Sequence, residues 1–186
     1  MNETLQVIRN RRSTRAFREE QIKDEELKEI IDAAIYAPSA TNKQPWHFTV
    51  VQNKELLDRL SESFKEAARN SGNDYLKKVG DNEKFHVFYN APTVIFASGD
   101  ENNHSAAVDC AAATENMLLA AEAQDIGSCW IGFIAFLLNN EDGKEYLREL
   151  GIPEGYRQIH AVALGYKKFN RTAAPARKEN SVNYIR

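Results

Sequence analysis

Three guanidinium groups, with the hydroxyls of Ser13 and Thr14 among them, fall within five residues near the start of the chain, Arg11-Arg12-Ser13-Thr14-Arg15. Arginine presents a rigid fork of donors that matches phosphate or carboxylate, and a neighbouring hydroxyl adds one more hydrogen bond. The stretch therefore reads as a grip for an anion, phosphate first. A solvated basic turn after a short helix would carry the same residues, so the stretch does not decide by itself. A second stretch, Ala37-Pro38-Ser39-Ala40-Thr41-Asn42-Lys43-Gln44-Pro45-Trp46, places hydroxyls and amides between two stiffening prolines. It can hold hydrogen-bonding groups at fixed positions without charge, which suits a polyol or a ring edge; a helix-to-strand loop has the same composition. A third, Gly127-Ser128-Cys129-Trp130-Ile131-Gly132-Phe133, reads as a short strand ending at a glycine. Gly132 could bring its N–H close to a flat ligand because no side chain obstructs it, although a bulge or turn needs the same residue.

Other chemistries find little support. His47, His86, His104 and His160 are scattered, and no Ser-His-Asp set or carboxylate pair stands out. The two cysteines, Cys110 and Cys129, lie in apolar surroundings without CxxC or Cys/His spacing, so they read as buried thiols rather than zinc ligands or a disulfide. A formal net charge of -3 over 186 residues offers no field to draw nucleic acid or an anionic membrane, so any anion site is local. No apolar run is long enough to span a bilayer and the N-terminus lacks the apolar core of a signal peptide, which reads as a cytoplasmic protein with no membrane and no nucleic acid among its partners.

The elements that must position these stretches follow from periodicity. Residues 3–10 read as a short helix, with Leu5 and Ile8 on one face, that delivers the basic cluster; Phe17 anchors its exit. Asp24 caps a second helix, whose stripe of Leu27, Ile30, Ile31, Ala34 and Ile35 is stopped by Pro38. A strand over 46–51 and an amphipathic helix over 54–70, with Leu56, Leu57, Leu60, Phe64 and Ala67 inward, come next. Residues 75–90 are aromatic but loosely patterned, as expected of a lid or of core packing. Thr93 opens a buried strand over 93–97, and residues 105–126 form the longest helix, rich in alanine and closed by Gly127. Such a helix suits a domain centre or a subunit interface. A helix over 140–150 and a strand over 157–165 complete the pattern, and the polar, basic tail from Tyr166 carries Arg177, with Tyr184 and Ile185 suggesting that it docks on something. The length fits one domain, 1–186.

RRSTRAF, a capped helix running into APSATNKQPWHF, and a long Ala-rich helix followed by IGSCWIGF and a strand ending ALGY occur in this order over essentially the whole chain. Together they resemble the FMN-dependent nitroreductase family. The resemblance implies an α+β fold with a central, mostly antiparallel sheet flanked by helices, and an intertwined homodimer with FMN at the subunit interface. The segment 166–186 would be a C-terminal extension docking on the dimer. Carried over residue by residue, Arg11 and Arg177 would bind the FMN phosphate and Ser13 the ribityl or phosphate end. Arg12 falls within the family's pattern at its position, and Arg15 would lie near the pyrimidine edge. Pro38, Ser39, Ala40 and Asn42 would touch the FMN held mainly by the other subunit, with Ile131 and Gly132 over the flavin and the Gly132 N–H pointing at N5. Gln44 fits a cofactor contact or a loop brace. Pro175 stands where some relatives have a basic residue, and none of Asn82, Lys84 and Asn90 clearly matches the Asn and Lys that some members supply.

The activity so implied is transfer of hydride from NADH or NADPH through flavin N5 to a flat, electron-poor acceptor such as a nitroaromatic, a quinone or an activated alkene, by a ping-pong route. No catalytic side chain is required, because the flavin carries the chemistry. Two other readings keep the fold: a different flavin reaction, such as dehalogenation or heterocycle oxidation, and a non-catalytic flavin-binding protein.

Overall fold

A computed structural model describes residues 2–169 and 173–186. Seven α-helices and four strands are seen in these residues: α1 (Glu3–Asn10), α2 (Asp24–Ile35), β1 (Trp46–Val51), α3 (Lys54–Asn70), α4 (Asp74–Gly80), β2 (Thr93–Asp100), α5 (Ala106–Ala123), β3 (Ile126–Ile131), α6 (Ile134–Leu138), α7 (Lys144–Glu149) and β4 (Tyr156–Tyr166). The strands form one sheet in the order β1-β2-β4-β3, with every pairing antiparallel. The expected α+β architecture, a mostly antiparallel sheet flanked by helices, is met.

Alternation along the strands sends side chains to two cores, one on each face of the sheet. Val94 and Phe96 of β2 and Ala161 and Ala163 of β4 pack with Leu57, Leu60 and Phe64 of α3 and with Ile134 and Leu137 of α6. Ile95, Val162 and Leu164 point the other way, onto Ile30 and Ala34 of α2 and Ala113, Met117 and Ala121 of α5. Because both faces are covered, the central strand β2 is buried along nearly its whole length.

Boundaries differ from the sequence reading in several places: β2 runs past residue 97 to Asp100, and three further differences have local reasons. Lys23, not Asp24, takes the cap position of α2, and the Glu26 carboxylate reaches back to accept from the Lys23 N–H at 2.9 Å. The long helix stops at Ala123, and Asp125, with φ at 58°, makes the turn; Gly127 does not close a helix but lies inside β3. Glu122, Gln124 and Asp125 break the apolar pattern before Ile126, but a glycine so often follows a helix end that Gly127 reads as the stop. The helix expected over 140–150 is a 3-10 turn, Glu141–Gly143, followed by α7, while α6 precedes it without a helix signal of its own. In the ambiguous aromatic stretch, α4 forms because the Asn73 side chain accepts from the N–H groups of Tyr75 and Leu76 at 2.9 and 3.1 Å.

Both cysteines are free and buried. Burial, and then the neighbouring Asp109, push the Cys110 thiol up to about 12, which leaves it inert.

Gly127 is packed against Thr14, and a Cβ there would fall 2.8 Å from Thr14 Cγ2. Gly127→Ala is expected to destabilise the fold by ~1–3 kcal/mol in urea titration. Burial holds both His86 and His160 below the ordinary value of 6.5, although Asp58 partly offsets this at His86. The unfolded chain then takes up protons near pH 6.5 that the native chain does not, so this stability is present above 6.5 and is lost as pH falls toward the lower native values. Stability at pH 5.5 should therefore be lower than at pH 7.5, and His160→Gln should reduce the difference.

Candidate functional site

The basic stretch leaves α1 as extended chain and runs beside the edge strand β3. Ser13 bridges Ser128 in parallel, and the Thr14 N–H donates to the Ser128 carbonyl at 2.8 Å. Farther on, the Arg18 N–H donates to the Tyr166 carbonyl at 2.9 Å, and Phe17 bridges Lys167. Extended chain sends successive side chains to opposite sides. On one side lie Arg11, Ser13 and Arg15, all close enough to Cys129 to act on its thiol. Burial raises that thiol above its ordinary range, and Arg15, the Ser13 hydroxyl and Arg11 oppose the shift in that order. On the other side Thr14 packs on Gly127.

The three arginines are held differently. Arg11 Nε lies 3.7 Å from the Glu115 carboxylate of α5, both side chains being partly open to water. Arg12 Nη1 donates to the carbonyls of Arg9 and Arg11, each at 2.7 Å, so it caps the end of α1; its Nε is buried without a partner. Arg15 Nε donates to the Tyr89 hydroxyl at 3.3 Å, and its guanidinium carbon lies 5.7 Å from the centre of the Tyr89 ring. A cleft of about 480 Å³ borders the stretch, with Arg12, Ser13, Thr14, Arg15 and Lys167 among its lining residues. Lys167 is already paired there with Glu122 and Asp125, at 3.1 and 2.8 Å.

At its far end β3 stops at the buried Ile131, and Gly132 follows, exposed. A Cβ on Gly132 would meet nothing within 4 Å, so the backbone there faces open space. The glycine's value is room for an approaching molecule, not a strained backbone.

The uncharged loop is a built structure. The buried Asp109 carboxylate of α5 accepts from the Ala40 N–H at 3.2 and 3.3 Å. Ser39 Oγ accepts from the Gln44 N–H at 3.0 Å, and the Gln44 side-chain amide donates to Asn42 Oδ1 at 3.0 Å. Gln44 is therefore a brace of the loop. Thr41, Asn42 and Gln44 have φ between 47° and 55°, a conformation that these internal bonds hold in place. Pro38 and Asn42 are exposed.

Arg11, Ser13 and Arg15 thus lie beside Cys129 of β3, Arg12 turns back onto the end of α1, and Ile131 and Gly132 follow at the far end of the same strand. Pro38, Ser39, Ala40 and Asn42 form a separate group pinned elsewhere on α5. Asp109 and Glu115 are six positions apart on that helix, about 9 Å of rise and a turn of roughly 240°, so loop and basic stretch engage different sides of it. Arg177 lies in the tail 173–186, all of which is exposed; residues 170–172 of the expected extension 166–186 fall outside the described residues. Sequence reasoning missed Glu115, Tyr89 and Asp109, the partners that hold Arg11, Arg15 and Ala40. Only Asp109 left a signal, a lone acid among the alanines that open α5.

Among the described residues, no group of three His, Cys, Asp or Glu side chains could hold a metal ion, and no helix is long and apolar enough to cross a membrane. The model of the nitroreductase family matches residues 8–166. A protein of Archaeoglobus fulgidus, whose name pairs NADH dehydrogenase with NAD(P)H nitroreductase, is 38% identical over 174 residues, spanning 90% of this chain and 87% of the relative. The solved structure of a nitroreductase with bound FMN from Bacteroides fragilis superimposes with a TM-score of 0.94 at 36% identity over 100% of both chains. Another nitroreductase with bound FMN, from Desulfitobacterium hafniense, does so with a TM-score of 0.91 at 30% identity, again over 100% of both. Motifs, topology and similarity over the full length agree, and the chain belongs to the nitroreductase family.

Proposed function

We propose that this protein is an FMN-dependent oxidoreductase that takes hydride from NADH or NADPH and passes it to a flat, electron-poor acceptor such as a nitroaromatic, a quinone or an activated alkene. The observation that carries the reading is the gathering of Arg11, Ser13 and Arg15 beside Cys129 of β3, the strand whose C-terminal end opens onto free space at Gly132. A phosphorylated planar cofactor fits it: cations and a hydroxyl for the phosphate end, and an unobstructed backbone for the ring. FMN in the two solved relatives and the nicotinamide in the name of the Archaeoglobus relative support the same choice.

Arg11 would hold the phosphate. Its present ion pair with Glu115 is partly exposed and of the kind worth ~0–1 kcal/mol, so a doubly charged phosphate displaces it readily. Ser13 would add a hydroxyl, and Arg12 would keep the turn in place by holding the Arg9 and Arg11 carbonyls. Arg15 would put positive charge at the pyrimidine edge. Ile131 would pack against the ring, and Gly132 would offer its N–H toward N5. FMN held there would supply two-electron hydride chemistry between nicotinamide and acceptor, the two taking turns at one open face. The chain's own part is to bind, orient and leave one face open, and flatness with electron deficiency is what such a face selects.

The second half of the site would come from a second copy, which brings its Pro38, Ser39, Ala40 and Asn42. The separation of loop and basic stretch around α5 supports this, as does the apolar surface that one chain leaves uncovered. Helix α1 has no buried residue, with Leu5 and Ile8 about half exposed, and Val108 of α5 is 71% exposed. Val182, Tyr184 and Ile185 stand in the open tail, which would dock on the partner and carry Arg177 to the phosphate. The whole of 1–186 then acts as one domain in a homodimer.

The purified protein should be yellow, or become so with added FMN, and should bleach when NADH or NADPH is added anaerobically; a colourless protein that takes up no FMN overturns the reading. Arg11→Ala should lose a charge-assisted contact of ~1.5–3 kcal/mol, weakening FMN binding from about ten-fold to over a hundred-fold in fluorescence titration. Sedimentation should give a dimer, and the charges introduced by Ile8→Glu with Val108→Lys should shift it toward monomer with loss of FMN.

A further inference from the structure

The turn between α4 and β2 is anchored more firmly than a connector needs. His86 Nδ1 accepts from the N–H groups of Phe88 and Asn90 at 3.2 and 3.3 Å, and Nε2 lies 3.3 Å from Asp58 of α3. The Val87 N–H donates to the buried Ser61 hydroxyl at 3.0 Å, and the fully buried Phe88 ring meets Phe96 of β2 edge-on at 5.7 Å. Between these anchors the backbone of Tyr89 and Asn90 takes φ of 56° and 53°. A tyrosine rarely adopts such a conformation and keeps it only where the surroundings over-determine it.

The strained turn delivers the Tyr89 hydroxyl to Arg15 Nε at 3.3 Å, with the ring 5.7 Å from the guanidinium carbon. Among the described residues no carboxylate forms an ion pair with Arg15, whereas Arg11 is paired with Glu115. A phenol fixes a guanidinium without neutralising it. We infer that Tyr89 is a positioning residue: anchored by its turn, it holds Arg15 in place with its charge undiminished toward the negative edge of the bound ring. This rests on the FMN reading above and deepens it. A cation held at one place favours the reduced ring, which carries more negative charge, over the oxidised one, whereas a mobile cation is screened by water.

The test is the midpoint potential of FMN bound to the full-length protein, measured for wild type, Tyr89→Phe, Arg15→Gln and the double variant. Tyr89→Phe keeps the ring and loses the hydroxyl. It should weaken binding of reduced relative to oxidised FMN about ten-fold, which is about 30 mV toward more negative potential for a two-electron couple. Added to Arg15→Gln, it should shift nothing further. An unchanged potential in Tyr89→Phe, or a shift of equal size with and without Arg15, overturns the inference and leaves FMN binding standing. An unchanged potential in Arg15→Gln removes Arg15 from the ring edge and the inference with it. A wild-type protein that takes up no FMN ends the parent reading as well.

Discussion

The pairing of residues 13–18 with the edge of the sheet is the contact on which the rest depends. Two short bridges and the hydrogen bonds from Thr14 to Ser128 and from Arg18 to Tyr166 turn a basic tail-piece into rigid extended chain. They also cover part of an edge strand that would otherwise present unpaired backbone groups. Two glycines make the approach possible. Gly127 leaves room for Thr14, and Gly165 leaves room for Pro92 and Phe17, whose atoms would lie 2.8 and 3.1 Å from a Cβ. Once the segment is extended, alternation gathers Arg11, Ser13 and Arg15 on one side. Like charges so gathered repel one another, and they persist because the backbone is fixed by the sheet and Arg11 is balanced by Glu115.

A different strategy holds the loop at Pro38 to Gln44. Its polar groups satisfy one another, and a buried carboxylate on α5 receives the one N–H that anchors it. A loop of this kind presents donors and acceptors at fixed positions with little net charge, as a recognition surface for a neutral polyol or a ring edge requires. Helix α5 is the common reference for both parts: Asp109 fixes the loop, Glu115 meets the arginine, and Met117 and Ala121 seat the helix on the sheet. Any shift of α5 along its axis would therefore move both halves of the proposed site at once.

Similarity over whole chains to nitroreductases with bound FMN fixes the architecture, while in the proposed reading the choice of acceptor would be made at the open face beyond Gly132. Residues 84–92 gain importance for this reason. They join the core through Phe88 and the basic stretch through Tyr89, so they link packing beneath the sheet to charge at its edge.

Much of this was legible in the chain. The helical stripe over 54–70, the strands opening at Trp46 and Thr93, and the two stretches of site residues were marked by periodicity, proline placement and residue type, which are local properties. The end of α5 and the start of β3 were not, because Gly127, a residue type that commonly follows a helix end, lies inside the strand, and neither was α6, whose five residues are too few to show a period. The sequence alone determined which chemistry could be present, because three arginines and a serine in five residues and an uncharged Pro-Ser-Asn loop are facts of composition and spacing. Only the tertiary structure decided which of them face the same way and what holds them. Glu115, Asp109 and Tyr89 lie roughly 70 to 105 positions from the residues they hold in place, and no local pattern in a chain records a contact made across a sheet and a helix.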